Sequence, residues 1–132
     1  MKVKTFLVCL FLGSLPMMAQ KSYLLQSPDG KLKATVSVGD DVQFSLNHEG
    51  TEVLAPSPIS MTLQDGKVLG GTPKVLKVVK ASVKKEIPSP VYKKSEVSDI
   101  YNEMRISFKG NYGLDFRLYD DCLLYTSDAA DD

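Results

Sequence analysis

Apolar and polar residues alternate with a period of two through most of this chain. The clearest alternating runs cover residues 32–38, 42–47, 59–64, 104–109 and 114–119. Successive side chains of a strand point to opposite sides of the sheet, so this period is typical of strands with one buried and one solvated face. The alternation therefore predicts antiparallel β-structure, and no stretch has the period of an amphipathic helix.

Turn signals separate these runs. Ser27-Pro28-Asp29-Gly30 has proline at the second position and glycine at the fourth, as in a type I turn. Hairpin loops are predicted at residues 39–41, 48–51, 65–66 and 110–113. Closely spaced strands with regular turns predict an all-β fold, an antiparallel sandwich or barrel.

Two less regular features complete this pattern. Pro56-Ser57-Pro58 and Pro88-Ser89-Pro90 mark sheet edges or crossings, because proline cannot donate to a central ladder. Lysines and valines recur irregularly in residues 74–86, which we predict to be a strand with a solvated face.

The N-terminus has the parts of a secretory signal, which we predict to cover residues 1–19. Lys2 and Lys4 precede the mostly apolar residues 5–15, and Ala19 offers a small residue for cleavage. The apolar run is too short to span a bilayer as a helix. The alternative is a buried N-terminal helix, but the order of the three parts favours export.

The two cysteines predict no structural disulfide. Cys9 lies inside the predicted signal, so after cleavage it cannot pair with Cys122. A lipid anchor on Cys9 is disfavoured, because Val8 stands where a small residue is expected and the cysteine comes early. A chain without bridges depends on its hydrophobic core.

The C-terminal residues 122–132 do not continue the pattern. Alternation stops at Asp121, and the acidic, alanine-rich tail predicts no partner strand. The string from Cys122 to Asp132 resembles the translation of a transposon end used in sequencing libraries, so we predict that it is not native; the alternative is a natural polar terminus. The last strand, residues 114–121, is then expected to be an open apolar edge.

Charge and length exclude several classes of protein. Residues 20–121 contain fourteen basic and thirteen acidic residues, a net charge of +1. There is no basic stripe to indicate nucleic-acid binding and no long apolar segment to span a membrane. The length leaves room for one domain at most.

No group of residues supplies chemistry by itself. His48 is the only histidine and lies at a predicted hairpin tip, so an exposed turn residue is favoured over a metal ligand. Glu96, Asp99 and Glu103 are three carboxylates within a short stretch of sequence. Glycoside hydrolysis needs paired carboxylates, and a calcium ion needs clustered oxygen ligands. Because the three residues lie in a predicted loop entering a strand, a solvated loop is the favoured interpretation.

Two further segments contain candidate site residues. Asp120 and Asp121 end a strand, where they either cap the next turn or approach a site. The segment Tyr101-Asn102-Glu103 is predicted to start a strand, with the tyrosine packed at a sheet rim and the asparagine bonded to backbone, in preference to contact with a ligand.

The chain resembles the N-terminal region of glycoside hydrolase family 97 over nearly all of residues 21–121. The matching elements, in order, are Ser27-Pro28-Asp29-Gly30 with residues 31–38, Phe44-Ser45-Leu46, Gly50, Val53-Leu54, Ser57-Pro58-Ile59, Tyr101-Asn102-Glu103 and residues 114–121. The family usually has glycine after Tyr-Asp-Asp, where this chain has Cys122. That departure falls at the start of residues 122–132, the adapter-like tail that we predict is not native.

The resemblance implies the remaining expectations. Residues 20–121 would be part of an incomplete β-sandwich domain of the galactose-mutarotase-like super-sandwich type, packed on a (β/α)8 barrel with the catalytic carboxylates. Members are exo-acting α-glucosidases or α-galactosidases, inverting or retaining, that act on oligosaccharides. They use calcium and are exported to the periplasm or surface of Gram-negative bacteria.

No catalytic, cofactor-binding or metal residue is assigned to this chain, because the family's carboxylates are expected after Asp121. The chain alone is therefore expected to lack activity. The rival interpretation is a secreted β-sandwich that binds glycan or a protein without catalysis.

Overall fold

The computed structural model describes residues 20–88, 90 and 96–129, and these residues form ten β-strands and no helix. Within this part of the chain there is accordingly no helix able to cross a membrane. The predicted export signal, residues 1–19, lies outside the described residues, as does Ser89. The strands are β1 (Lys21–Gln26), β2 (Leu32–Val38), β3 (Val42–His48), β4 (Thr51–Ile59), β5 (Met61–Thr62), β6 (Val68–Leu69), β7 (Val75–Pro88), β8 (Glu96–Phe108), β9 (Tyr112–Leu118) and β10 (Leu123–Ala129).

The strands form two four-stranded antiparallel sheets and one short hairpin. Sheet 1 has the order β1-β2-β3-β4, and sheet 2 has the order β10-β9-β8-β7. The hairpin of β5 and β6 forms a separate two-stranded sheet. Every sheet neighbour is also a neighbour in sequence, so short turns suffice for the connections within each sheet.

The inner faces of the two sheets share one apolar core. Sheet 1 contributes Leu25, Leu32, Ala34, Val36, Val38 and Val42, and sheet 2 contributes Met104, Ile106, Phe108, Leu114, Phe116 and Leu118. Phe116, Leu118, Met104 and Ile106 are fully buried, and each large side chain contributes about 1.5–3 kcal/mol on burial. The prediction of an all-β antiparallel sandwich is confirmed.

The turns follow the sequence signals. Gly30 N donates to Ser27 O at 2.9 Å, which closes the predicted β1–β2 turn. Pro56 and Pro58 lie in β4, an edge strand, where a missing N–H costs least. The segment predicted as a strand with a solvated face is β7, most of whose residues are exposed.

The expectation that the C-terminal tail offers no partner strand is wrong. Residues 123–129 form β10, which pairs with β9 from Leu123–Leu118 to Ala129–Tyr112. The Tyr125 ring lies 5.5 Å from that of Phe44 and 6.1 Å from that of Phe116. The open apolar edge expected at residues 114–121 is thus covered, because Leu123 and Tyr125 recur with the period of a strand and reach the core face.

The start of β8 also differs from expectation. Tyr101 lies inside this strand, which begins at Glu96 and pairs with β7 along its whole length. The segment entering Tyr101 is therefore strand rather than loop. Val97 and Ile100 break the period of two. Sequence analysis therefore did not predict that the first residues of β8 belong to a strand.

The cover that β10 gives to β9 can be tested by truncation. We expect residues 20–129 to be monomeric with a cooperative thermal transition, and residues 20–121 to aggregate, because an open edge pairs with other chains. Light scattering and circular dichroism melts under reducing conditions, needed because Cys122 is an exposed thiol, would compare them.

A matched control keeps the β10 backbone and removes its packing. Leu123→Ser with Tyr125→Ser in residues 20–129 should leave a monomer that melts at lower temperature. A soluble monomer of residues 20–121 with a sharp two-state transition would show that β10 is dispensable.

Candidate functional site

The turn between β1 and β2 is held by two side chains. Ser27 is 2% exposed, and its Oγ accepts from Leu32 N at 3.0 Å and donates to Asp29 Oδ1 at 2.6 Å. The same Oδ1 accepts from Lys31 N at 3.0 Å. Serine and aspartate commonly bond to backbone groups in turns, and here they satisfy the polar groups of a tight turn beside the core.

Asp120 joins this turn to sheet 2. It lies in the β9–β10 turn, and its Oδ1 accepts from Asp29 N at 2.8 Å. We call Ser27, Asp29 and Asp120 the turn clasp. The pKa of Asp29 is lowered, first by the hydrogen bond from Ser27 and then by that from Lys31 N, because both favour the ionised carboxylate. Asp120 was expected either to cap the next turn or to approach a site, but its side chain bonds instead to the β1–β2 turn, 91 residues earlier in the chain.

Two more polar bonds connect β1 to sheet 2. Asn102 Nδ2 donates to Gln26 O at 2.8 Å, and Lys80 Nζ donates to Leu24 O at 2.6 Å. β1 is an edge strand, and polar side chains on an edge oppose pairing with other chains. The predicted bond from Asn102 to backbone is confirmed.

An aromatic and charged cluster lies beside the clasp. Tyr101 is 6% exposed, with its ring 5.2 Å from that of Tyr119 and 5.1 Å from the guanidinium carbon of Arg117. Burial, with the negative charge of Asp99 next in size, raises the pKa of Tyr119. The predicted packing of Tyr101 is confirmed, and the Arg117 contact is a cation–π interaction.

An ion-pair group occupies the outer face of sheet 2. Arg105 Nη2 lies 3.1 Å from both Glu103 Oε1 and Asp115 Oδ2. The hydrogen bond and charge of Asp115, with the charge of Glu103, raise the pKa of Arg105. Arg105 and Asp115 are direct cross-strand partners, so this group stabilises the β8–β9 pair modestly.

The remaining candidate residues are not brought together. His48 and Asp121 are exposed, and Glu96 begins β8. Asp99 and Glu103 lie four residues apart on one strand, about 13 Å. Retaining glycosidases place their carboxyl groups about 5–5.5 Å apart and inverting ones about 6.5–9.5 Å apart. Asp99 and Glu103 are therefore no catalytic pair.

The described residues also do not fit the calcium implied by the family resemblance. Among residues 20–88, 90 and 96–129, no three His, Cys, Asp or Glu side chains are close enough to hold a metal ion. An apolar cavity of about 210 Å³ lies between the β5–β6 hairpin and sheet 2, with Leu69, Tyr112 and Tyr125 in its wall. It is smaller than the roughly 300 Å³ at which ligand pockets usually begin.

Comparison with known proteins identifies the family. The family described as Glycosyl-hydrolase 97 N-terminal matches residues 25–125, most of the chain. The chain belongs to glycoside hydrolase family 97. Three of the family 97 motifs meet in space, because Ser27-Pro28-Asp29-Gly30 and the Tyr-Asp-Asp segment supply the turn clasp while Tyr101 and Asn102 lie beside it.

One curated relative is a retaining α-galactosidase of Bacteroides thetaiotaomicron. It is 42% identical over 125 residues, which cover 95% of this chain and 19% of the relative. This family 97 chain therefore spans about a fifth of the length of the enzyme that it matches.

Solved structures of larger enzymes share the fold. A glycoside hydrolase family 97 enzyme from Pseudoalteromonas sp. strain K8 in complex with acarbose gives a TM-score of 0.74 at 21% identity, over 80% of this chain and 17% of that one. A β-arabinopyranosidase gives a TM-score of 0.74 at 20% identity, over 83% and 18%. These likenesses show the fold.

Sequence analysis missed the long-range contacts of this region. The motif at Ser27 predicts a turn, but nothing local indicates that Asp120 bonds to Asp29 from 91 residues away. The pairing of Arg105 with Asp115 follows only from the β8–β9 register. A predicted hairpin at residues 110–113 was the one available signal for that register.

The buried serine of the clasp can be tested by substitution. In residues 20–129, Ser27→Ala leaves Leu32 N without its acceptor, so we expect a loss of about 1–3 kcal/mol in the free energy of unfolding. Ser22→Ala, on the exposed part of β1, is the matched control and should change little. Chemical denaturation measures both, and equal effects would contradict the assignment.

The lowered pKa of Asp29 predicts a pH dependence. A depressed folded-state pKa gives stability that is complete above the unfolded value of about 3.8 and is lost as the pH falls through the folded value. Between pH 6 and about pH 3, the wild type should therefore lose more stability than Asp29→Asn. Denaturation midpoints across this range test the sign, and parallel curves would refute it.

Proposed function

We propose that this chain is the N-terminal β-sandwich of an exported, retaining α-galactosidase that removes terminal α-linked galactose from oligosaccharides. The observation that carries the proposal is the 42% identity, over 95% of this chain, to a retaining α-galactosidase. The matching family over residues 25–125 supports a glycoside hydrolase parent. Sequence analysis alone left galactoside and glucoside equally open.

In this proposal the chemistry lies outside the present chain. Four of the described carboxylates have structural partners, since Glu103 and Asp115 bond to Arg105 while Asp29 and Asp120 bond in the turn clasp. We infer that the catalytic carboxylates and the calcium ligands belong to a downstream (β/α)8 barrel. The sandwich then acts as a rigid support for that barrel.

Export is part of the same proposal. The cationic start, apolar run and small residue of residues 1–19 support a cleaved signal, with the mature protein starting near Gln20 or Lys21. The destination would be the periplasm or surface of a Gram-negative bacterium. Mass spectrometry of the exported parent measures the mature N-terminus directly.

Activity of the longer gene product tests the proposal. We expect it to cleave p-nitrophenyl α-galactoside with kcat/KM about a hundredfold above that for the α-glucoside. The reason is that a site whose groups hydrogen-bond to the hydroxyls of one sugar rejects a sugar with a different hydroxyl arrangement. Proton NMR of the first product should show the α-anomer. A chelator should lower activity, and added calcium should restore it.

The matched control is residues 20–129 under the same conditions, which should release no sugar. Turnover by this control would place the catalytic residues within the present chain. Failure of the longer product to cleave either glycoside would refute the enzyme proposal, and faster cleavage of the glucoside would refute the substrate.

A further inference from the structure

Gln20 packs on the folded domain although it precedes the first strand. The β1–β2 ladder begins with the pair of Lys21 and Val38, so Gln20 stands beside Gly39 at the same end of sheet 1. A methyl group added at Gly39 would lie 3.5 Å from Gln20 Cγ and 3.9 Å from its Cδ. The Gln20 side chain therefore lies across Gly39, where a glycine leaves space for it.

The turn under Gln20 is held by backbone hydrogen bonds. Gly39 N donates to Asp41 O at 3.0 Å, and Thr72 N donates to Asp40 O at 2.8 Å. These bonds fix the β2–β3 turn and connect it to the segment that follows β6. Gln20 thus rests on a fixed surface at one end of the sandwich, while the residue itself is exposed to solvent.

This contact favours one of the two positions at which the export signal can end. Cleavage after Gln20 would remove a residue that packs on the domain, whereas cleavage after Ala19 leaves that residue in place. Ala19 is also the small residue that a signal cleavage site needs. Gln20 is then the first residue of the mature protein, a step that rests on the proposed function in that it requires export.

An N-terminal glutamine carries a nucleophile and an electrophile within reach of each other. The α-amino nitrogen attacks the side-chain amide carbon, Cδ, and the bond from Cδ to the amide nitrogen breaks as the new C–N bond forms. The departing nitrogen takes the proton that the α-amine releases and leaves as ammonia, so the step needs no oxidant, reductant or co-reactant. The α-amine titrates close to neutral pH, so part of it is the unprotonated nucleophile there.

We propose that Gln20 is a modification site, whose side chain closes to a pyroglutamate lactam once cleavage makes it the first residue. Gln20 is exposed and precedes the first pair of the β1–β2 ladder, so the fold does not have to open for the ring to close. The product is a neutral N-terminus in place of a cationic one.

The consequence of the lactam falls on β1. This strand is an edge of sheet 1, and it contributes Leu25 to the core. An aminopeptidase requires a free α-amine, so the lactam protects β1 from stepwise removal outside the cytoplasm. The modification therefore preserves the edge of the sandwich after export.

Mass spectrometry of the full chain, after export from a bacterial host, tests the modification. We expect the N-terminal peptide to begin at residue 20 and to be lighter than its unmodified sequence by one ammonia. Gln20→Asn is the matched control, because it keeps an amide while its shorter side chain could close only a smaller, strained ring. It should retain a free α-amine, and an aminopeptidase should shorten it while leaving the wild type intact.

A second preparation separates this inference from the proposed function. A removable fusion partner replaces residues 1–19, so that its removal exposes Gln20 without export. We expect ring closure in the native protein at a rate similar to that in denaturant, because Gln20 is exposed.

Each outcome decides the inference. Ring closure in the second preparation, with the signal left uncut in the first, supports the modification of Gln20 and refutes export. An unmodified glutamine at the N-terminus of both preparations overturns the inference and leaves export standing, as does an exported protein that begins at Lys21. Ammonia loss from Gln20→Asn at the wild-type rate would also overturn it, since the ring would then not depend on the glutamine side chain.

Discussion

The apolar layer between the two sheets is the interaction on which the rest of the structure depends. Phe116, Met104, Ile106 and Leu118 of sheet 2 are fully buried against a sheet 1 face that includes Val36. Cys122 is a free, exposed thiol, so it contributes no disulfide. Burial of apolar surface is the dominant favourable term in folding. Because this layer uses every second residue of the central strands, it also determines which side chains remain on the outer faces for other contacts.

Hydrophobic burial is not directional, so polar contacts are needed to set how the sheets align. Asp120 reaches the backbone of Asp29, Asn102 reaches that of Gln26, and Lys80 reaches that of Leu24. All three bonds run from sheet 2 to the β1 side of sheet 1. We infer that the turn clasp and its neighbours fix the relative position of the two sheets.

Sequence analysis predicted what short-range periodicity determines. The alternating runs predicted the central strands, and the Ser27-Pro28-Asp29-Gly30 turn was confirmed by the bond from Gly30 N to Ser27 O. It was wrong about β10, because the two alternating apolar residues after Asp121, Leu123 and Tyr125, were too few to indicate a strand. Sequence analysis could not predict the turn clasp, because Asp120 and Asp29 are 91 residues apart and meet only once both sheets have formed.

The central claim is that this family 97 sandwich belongs to a larger glycosidase whose catalytic residues lie downstream. The most direct test is the sequence of the natural gene through codon 122 and beyond. The account predicts that natural codons diverge from the adapter-like string at or near Cys122 and that the frame continues into a barrel with paired carboxylates. A stop codon near that position, or further sandwich repeats in its place, would contradict it.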